Sequence, residues 1–193
     1  PDLDTVMYTL GGIVNPETGW GIAGDTWQNF EMLERYGAEP WFRLGDRDLA
    51  THLWRTELLR RGATLTEVTA RLAQSLGVQA RLLPVTDGRL RTIVLSDEGE
   101  MEFQEYLVRR GWQPRILGLR YEGAEEARAT PAVLDALDGA QVVVLCPSNP
   151  FVSIGPLLAV KPLRQRLQAL KQKGVAIVAV SPIVGGQALK GPA

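Results

Sequence analysis

The sequence has one cysteine and one histidine in 193 residues. Cys146 alone excludes an intramolecular disulfide and any Cys-rich zinc site. His52 alone excludes a multi-histidine metal centre and leaves a Ser-His-Asp triad with a single possible base. No apolar run reaches the ~18 residues of a membrane span. No secretory signal is visible, so the default compartment is the cytoplasm. Neither sign of charge is in excess, since 21 Lys+Arg against 22 Asp+Glu leave −1. That balance leaves no basic footprint for holding nucleic acid by its phosphates. What is present is ordinary globular composition, 45% hydrophobic and 22% charged, in a length suited to one domain. The chain opens on Pro1 inside a motif and closes on Lys190-Gly191-Pro192-Ala193 without a helix. The expectation is therefore the middle of a longer protein, incomplete at both ends.

Three blocks follow one another. The first, about 1–78, reads as helical. Asp2 or Asp4 caps a short helix to Leu10, and Asp25 or Thr26 caps a helix over 27–36 that Gly37 stops. Asp46 or Asp48 starts a third helix to about Arg60. Thr64 and Glu67 form a capping box for a fourth, which Gly77 ends. The second block, about 79–123, reads as strands at 80–83, 91–95 and 100–108, with Ser96-Asp97-Glu98-Gly99 as a hairpin turn. The third alternates. Thr130 caps a helix over 131–137, 141–146 is an apolar strand, 164–172 is helical and 175–180 is a second apolar strand. Continuous apolar strands separated by helices imply a parallel sheet buried on both faces. Cys146, at the end of the first of these strands, reads as a small core residue.

Ligands of open parallel sheets bind beyond the carboxyl ends of the strands. Two such ends carry Pro147-Ser148-Asn149-Pro150-Phe151-Val152-Ser153-Ile154-Gly155-Pro156 and Ser181-Pro182-Ile183-Val184-Gly185-Gly186. Loops of this kind offer backbone N–H groups and hydroxyls to a phosphate or nucleotide, and they also simply turn the chain. Asp2 and Asp4 suit a hard cation such as Mg²⁺, and from spacing alone they suit helix capping better. Asp46, Arg47, Asp48 and His52 crowd one helix start, where His52 and Asp48 are four residues apart and can pair. Of five tryptophans, Trp20, Trp27, Trp41 and Trp54 lie in the helical block, to fill a core or to wall a flat ligand.

PDLDTVMYTL (1–10), GWGIAGDTW (19–27), LGDRDLATHL (44–53), CPSNPFVSIGP (146–156) and AVSPIVGGQALKGPA (179–193) occur together and in order. With these motifs the chain resembles the CofD family, the phospholactate transferases of deazaflavin coenzyme F-420 biosynthesis, along nearly its whole length. Two departures stand out. Thr86-Asp87-Gly88 replaces a Ser-Asp-Asp run, and Cys146 stands where glycine is usual.

The resemblance implies one α/β domain over 1–193, a Rossmann-like three-layer sandwich with a mainly parallel sheet and a helical subdomain over about 16–78. It implies a Mg²⁺-dependent transferase. Such an enzyme moves a phospholactyl or phosphoenolpyruvyl group from a guanosine diphosphate ester to the deazaflavin precursor Fo and releases GMP. Asp2 and Asp4 would hold the metal and activate the hydroxyl. Ser148, Asn149, Pro150, Ser153 and Gly155 would cradle the nucleotide or its phosphates. Trp27, Asp46, Arg47, His52, Ser181 and Pro182 would contact substrate. A homodimer is implied by the same analogy, with no nucleic-acid or membrane partner. A non-catalytic nucleotide-sugar-binding regulator of a sister family is the alternative. A generic dinucleotide oxidoreductase would need a G-x-G-x-x-G loop, and none occurs.

Overall fold

The computed structural model describes residues 3–188. Asp2 and the 189–193 segment lie outside the described residues. The chain divides between Pro84 and Val85 into two compact units.

The first unit is helical, with α1 (Leu3–Leu10), α2 (Gln28–Arg35), α3 (Asp46–Arg60) and α4 (Leu65–Ser75). Its core is Met7, Tyr8 and Ala73, flanked by Ile13, Val14, Ile22, Leu72, Leu76, Val78 and Leu82. Met7 and Tyr8 are adjacent, so one turn of α1 drives two large side chains inward. Each such burial stabilises by about 1.5–3 kcal/mol. The Thr64–Glu67 box forms as the sequence reads: the Thr64 hydroxyl accepts from the Glu67 N–H, and the Glu67 carboxylate accepts from the Thr64 N–H. Gly77, at φ +71°, leads the chain out of the helix.

The caps of α2 and α3 differ from expectation. Trp27 holds the N-cap position of α2 and contributes no side-chain bond. The Asp46 carboxylate, from the start of α3, instead accepts from the N–H groups of Gln28 (3.0 Å) and Asn29 (2.9 Å). Asp25, expected on α2, accepts from the N–H groups of Arg47 (2.8 Å) and Asp48 (3.2 Å) and so caps α3. The two helix starts exchange carboxylates. Gly45 makes room for this, because a Cβ there would overlap the Asp25 carboxylate.

The second unit mixes strands and helices. β1 (Arg91–Ser96), β2 (Gly99–Glu102) and β3 (Ile116–Glu122) form an antiparallel sheet in the order β2-β1-β3. The β1–β2 turn falls at the expected place, with Gly99 at φ +109°. Val94, fully buried, packs on Met101 and Tyr106. Then come α5 (Pro131–Asp138), β4 (Val142–Leu145), a short α6 (Gly155–Ala159), α7 (Leu163–Gln172) and β5 (Ala176–Ala179). Strands β4 and β5 pair in parallel, Val142 opposite Ala176 through Leu145 opposite Ala179. A small hairpin, β6 (Ile183–Val184) with β7 (Gln187–Ala188), follows.

Several expectations are corrected here. The fold is mixed α/β, and the expected mainly parallel sheet is a two-strand parallel pair beside a larger antiparallel sheet. The 80–83 segment is irregular, because no strand lies alongside to take its hydrogen bonds. The strand expected over 100–108 stops at Glu102, and Glu105–Arg109 forms a π-helical turn closed by the Arg110 N–H on the Glu105 carbonyl. The parallel strands are not buried on both faces. Val142, Val144 and Val178 are 53%, 54% and 48% exposed, since each strand has a single strand neighbour among the described residues. Cys146 is exposed rather than part of the core. No helix among the described residues is long and apolar enough to cross a membrane.

Candidate active site

Asp48, His52 and Arg55 sit at i, i+4 and i+7 on α3 and therefore share one face. That face meets α1. Arg55 clamps Asp4 with both terminal nitrogens, Nη1 at 3.0 Å from one carboxylate oxygen and Nη2 on the other. This is the bidentate geometry that guanidinium favours. His52 Nε2 stands 3.7 Å from Asp4 and 3.6 Å from Asp48, and the expected Asp48–His52 pairing is thus present. The Tyr8 hydroxyl donates to Asp48 Oδ1 at 2.8 Å. Asp4 and Asp48 are 15% and 16% exposed against 44% for His52. The carboxylates form a floor and the imidazole stands at the mouth.

Burial pushes the Tyr8 phenol well above the usual tyrosine range. The Asp48 hydrogen bond and the charges of Asp48 and Asp4 add to the shift, while a hydrogen bond with Thr51 opposes it. Tyr8 is therefore a fixed donor and not a base. Ligand atoms of Asp4, Asp48 and His52 all lie within 4.8 Å of one another. Two carboxylates fit a hard cation such as Mg²⁺, which commonly binds one or two carboxylates together with substrate phosphate.

The neighbouring substrate candidates have structural employment. Asp46 takes the Thr26 hydroxyl together with the α2 N–H groups. The Thr26 bond, then the Asn29 N–H, lead in holding its carboxyl down to about 2. Arg47 Nη1 donates to the Ala23 carbonyl at 2.9 Å. Trp27 lies beneath the Arg43 guanidinium, 4.2 Å from ring centroid to Cζ.

In the second unit, Ser148 and Asn149 follow β4, Pro150 and Ser153 lie in the π-helical turn Pro150–Ile154, and Gly155 opens α6, so the five share one connecting segment. Asn149 Oδ1 accepts from the N–H groups of Phe151 (2.9 Å) and Val152 (3.1 Å), so its carbonyl shapes the loop and its Nδ2 amide is what a ligand can use. The Asn149 backbone carbonyl takes the Ser153 and Ile154 N–H groups, both at 3.1 Å. Tyr121, on β3, donates to the Phe151 carbonyl and ties the loop to the antiparallel sheet. A Cβ on Gly155 would overlap that tyrosine hydroxyl. Ser181 accepts from the Ile183 N–H and forms a local turn before β6, beside half-buried Pro182.

Sequence reasoning did not select Tyr8, Arg55, Asp25, Arg43 or Tyr121. Arg55 carried a signal in its spacing from Asp48 and His52. The others act across 16 to 40 residues of sequence and carry none.

The chain is a mixed α/β protein with a half-buried carboxylate cluster in its first unit and a Pro-Ser-Asn-Pro turn after a parallel strand in its second. Among solved structures it is similar to a Bacillus halodurans protein of the UPF0052 family. One structure gives TM-score 0.57 at 14% identity over 90% of this chain and 51% of that one, and a second gives 0.54 at 14% over 93% and 65%. That likeness concerns the fold. The family model described as 2-phospho-L-lactate transferase CofD matches residues 1–193, and the chain belongs to that family. A phosphoenolpyruvate transferase of Mycobacterium avium is 47% identical over 100% of this chain and 58% of its own length. A 2-phospho-L-lactate transferase of Methanopyrus kandleri is 45% identical over 100% and 61%. The chain thus spans about three-fifths of the length of these relatives.

Proposed function

We propose that this chain forms the larger part of a transferase. It moves a phospholactyl or phosphoenolpyruvyl group from a guanosine diphosphate ester to the terminal ribityl hydroxyl of the deazaflavin precursor Fo, in coenzyme F-420 biosynthesis. The observation that carries the reading is the family match over 1–193, with relatives named for these two transfers at 45–47% identity. On this reading the parallel β4–β5 pair belongs to a three-layer Rossmann-like sandwich, with the post-β4 loop at its ligand edge.

The reaction forms one bond from the acceptor oxygen to phosphorus. It breaks the bond between that phosphorus and the bridging oxygen, which leaves with GMP. Such transfers depend on positioning and charge neutralisation more than on covalent catalysis. Asp4 and Asp48 would hold Mg²⁺, which when bound offsets the charge of the diphosphate. His52, at the mouth of the cluster, is placed to take the proton from the incoming hydroxyl. Arg55 keeps Asp4 in a single orientation. Ser148, Asn149 and Ser153 contribute hydroxyl and amide donors toward phosphate.

Asp4→Asn keeps the shape and removes the charge. In the parent enzyme supplied with Fo, Mg²⁺ and each guanosine diphosphate ester, turnover should fall about 100-fold or more while the nucleotide still binds. Unchanged turnover removes Asp4 from the mechanism. Absence of product from either donor, with nucleotide still bound, favours the non-catalytic regulator instead.

A further inference from the structure

Asp4 and Asp48 differ in how the protein compensates them. One oxygen of each carboxylate and a ring nitrogen of His52 all lie within 4.8 Å of one another. Two carboxylates this close, both largely withdrawn from water, repel when ionised. Asp48 is met by a neutral donor, the Tyr8 hydroxyl. Asp4 is met by a whole positive charge, since Arg55 reaches both of its oxygens from 51 residues away. Arg55 is 18% exposed and pairs with no other carboxylate among the described residues. A guanidinium held in this way serves Asp4 alone. It takes both oxygens through which Asp4 would reach a cation, and it sets a like charge beside any cation seated there.

We propose that Arg55 is the resident counter-ion of this seat. While no cation is bound, its guanidinium neutralises Asp4 and relieves the repulsion from Asp48. When a divalent cation arrives, Arg55 releases one Asp4 oxygen to it and keeps the other, so the carboxylate stays oriented. The inference rests on the reading of Asp4 and Asp48 as the Mg²⁺ seat, and it adds how the seat is held before loading. Two consequences follow from charge alone. Arg55 stabilises the metal-free protein, because it offsets a partly buried carboxylate. Arg55 also weakens the hold on the cation, because its own charge opposes the incoming one. A residue that only packed, or only oriented Asp4, would do the first and not the second.

Mn²⁺ is the probe, since it shares the preference of Mg²⁺ for oxygen ligands and its unbound form is counted by electron paramagnetic resonance. It is titrated into the native chain and into Arg55→Gln, Arg55→Lys and Asp4→Asn. Arg55→Gln should bind Mn²⁺ about 10-fold more tightly than the native chain, because a like charge a few ångström away is gone. Arg55→Lys keeps the charge and should stay near the native affinity. Asp4→Asn should weaken binding. Without Mn²⁺, Arg55→Gln should melt several degrees below the native chain, and saturating Mn²⁺ should close most of that gap. Arg55→Met, which keeps the apolar stem, repeats the test if the glutamine variant does not fold. Binding that depends on Asp4 but is unchanged or weakened in Arg55→Gln overturns the counter-ion and leaves the metal seat standing. Mn²⁺ that binds the native chain no better than Asp4→Asn overturns both. The transferase reading is judged separately, by product formation.

Discussion

The Tyr8 hydroxyl on α1 donates to the Asp48 carboxylate on α3 at 2.8 Å, across 40 residues of sequence. The tyrosine is 1% exposed and lies in the core of the helical unit. One residue therefore fastens the hydrophobic core to the polar cluster. Tyr8→Phe keeps the ring and its burial and removes only the donor. It should lower stability by about 1–2 kcal/mol, read as a shift in the urea midpoint without change in slope. On the proposed function, turnover should fall further than substrate binding, since Asp48 loses a restraint on its orientation and keeps its charge.

The exchange of caps between α2 and α3 makes a second expectation. Asp25→Ala leaves the Arg47 and Asp48 N–H groups without their carboxylate and should cost about 1 kcal/mol. Gly45→Ala adds a Cβ where that carboxylate lies, at a backbone conformation (φ −71°, ψ 162°) that alanine adopts freely. Its cost therefore comes from expelling Asp25. The two substitutions should be strongly non-additive, with Gly45→Ala nearly silent in an Asp25→Ala background. Thermal unfolding of the four proteins measures the coupling. Additive losses would mean that Gly45 serves another purpose.

Much of this arrangement was open to the sequence, and the limit has a physical basis. Local chemistry was legible: the Thr64–Glu67 box, Thr130 before Pro131, the hairpin at Gly99 and the Asp48–His52 spacing each involve residues within five positions. Strand β3 was not read from the sequence, although Leu117, Leu119 and Tyr121 alternate along it. What escaped reading is set by partners far along the chain. Asp25 looks like the cap of the nearest helix, because nothing in its neighbourhood shows that Asp46 reaches α2 first. Phe103 through Arg109 continues the apolar alternation of a strand, yet Tyr106 is turned into the Val94 core by a helical backbone. Arg55 looks like one more surface cation until α1 brings Asp4 to it.

Acid titration tests the Asp46 cap. Hydrogen bonds from the Thr26 hydroxyl and the Asn29 N–H hold its carboxyl down to about 2. A carboxyl held below its unfolded value of roughly 3.9 favours the native state when ionised. The contribution is therefore complete above about pH 4 and is lost as pH falls toward 2. The native chain should melt higher than Asp46→Asn at pH 5–7, and the difference should shrink steadily and close near pH 2. The side chain is exposed to solvent, so added salt should reduce the difference. A gap in melting temperature that stays constant from pH 7 to 2 would show that the charge plays no part.

The loop after β4 depends on a contact that conventional substitution tables would call harmless to disturb. Gly155 has ordinary helical angles (φ −53°, ψ −51°), so alanine is not excluded by the backbone. The obstacle is the Tyr121 side chain, whose hydroxyl occupies the place of the missing Cβ while donating to the Phe151 carbonyl. Gly155→Ala must displace the ring and with it the tie between loop and β3, at a cost of about 1–3 kcal/mol. Tyr121→Phe removes the bond and keeps the bulk. It should leave stability nearly unchanged while amide exchange within 150–154 speeds up several-fold. Tyr121→Ala removes both, and adding Gly155→Ala to it should cost much less than it does alone, because only the Pro150 carbonyl oxygen, 3.2 Å from the added Cβ, then stays close. If the loop presents its donors to phosphate as proposed, nucleotide affinity should track amide protection across the series rather than global stability. Hydrogen exchange and binding measured on the same four variants decide this. Affinity that follows melting temperature instead would assign Tyr121 to general packing and leave the loop's geometry to Asn149 alone.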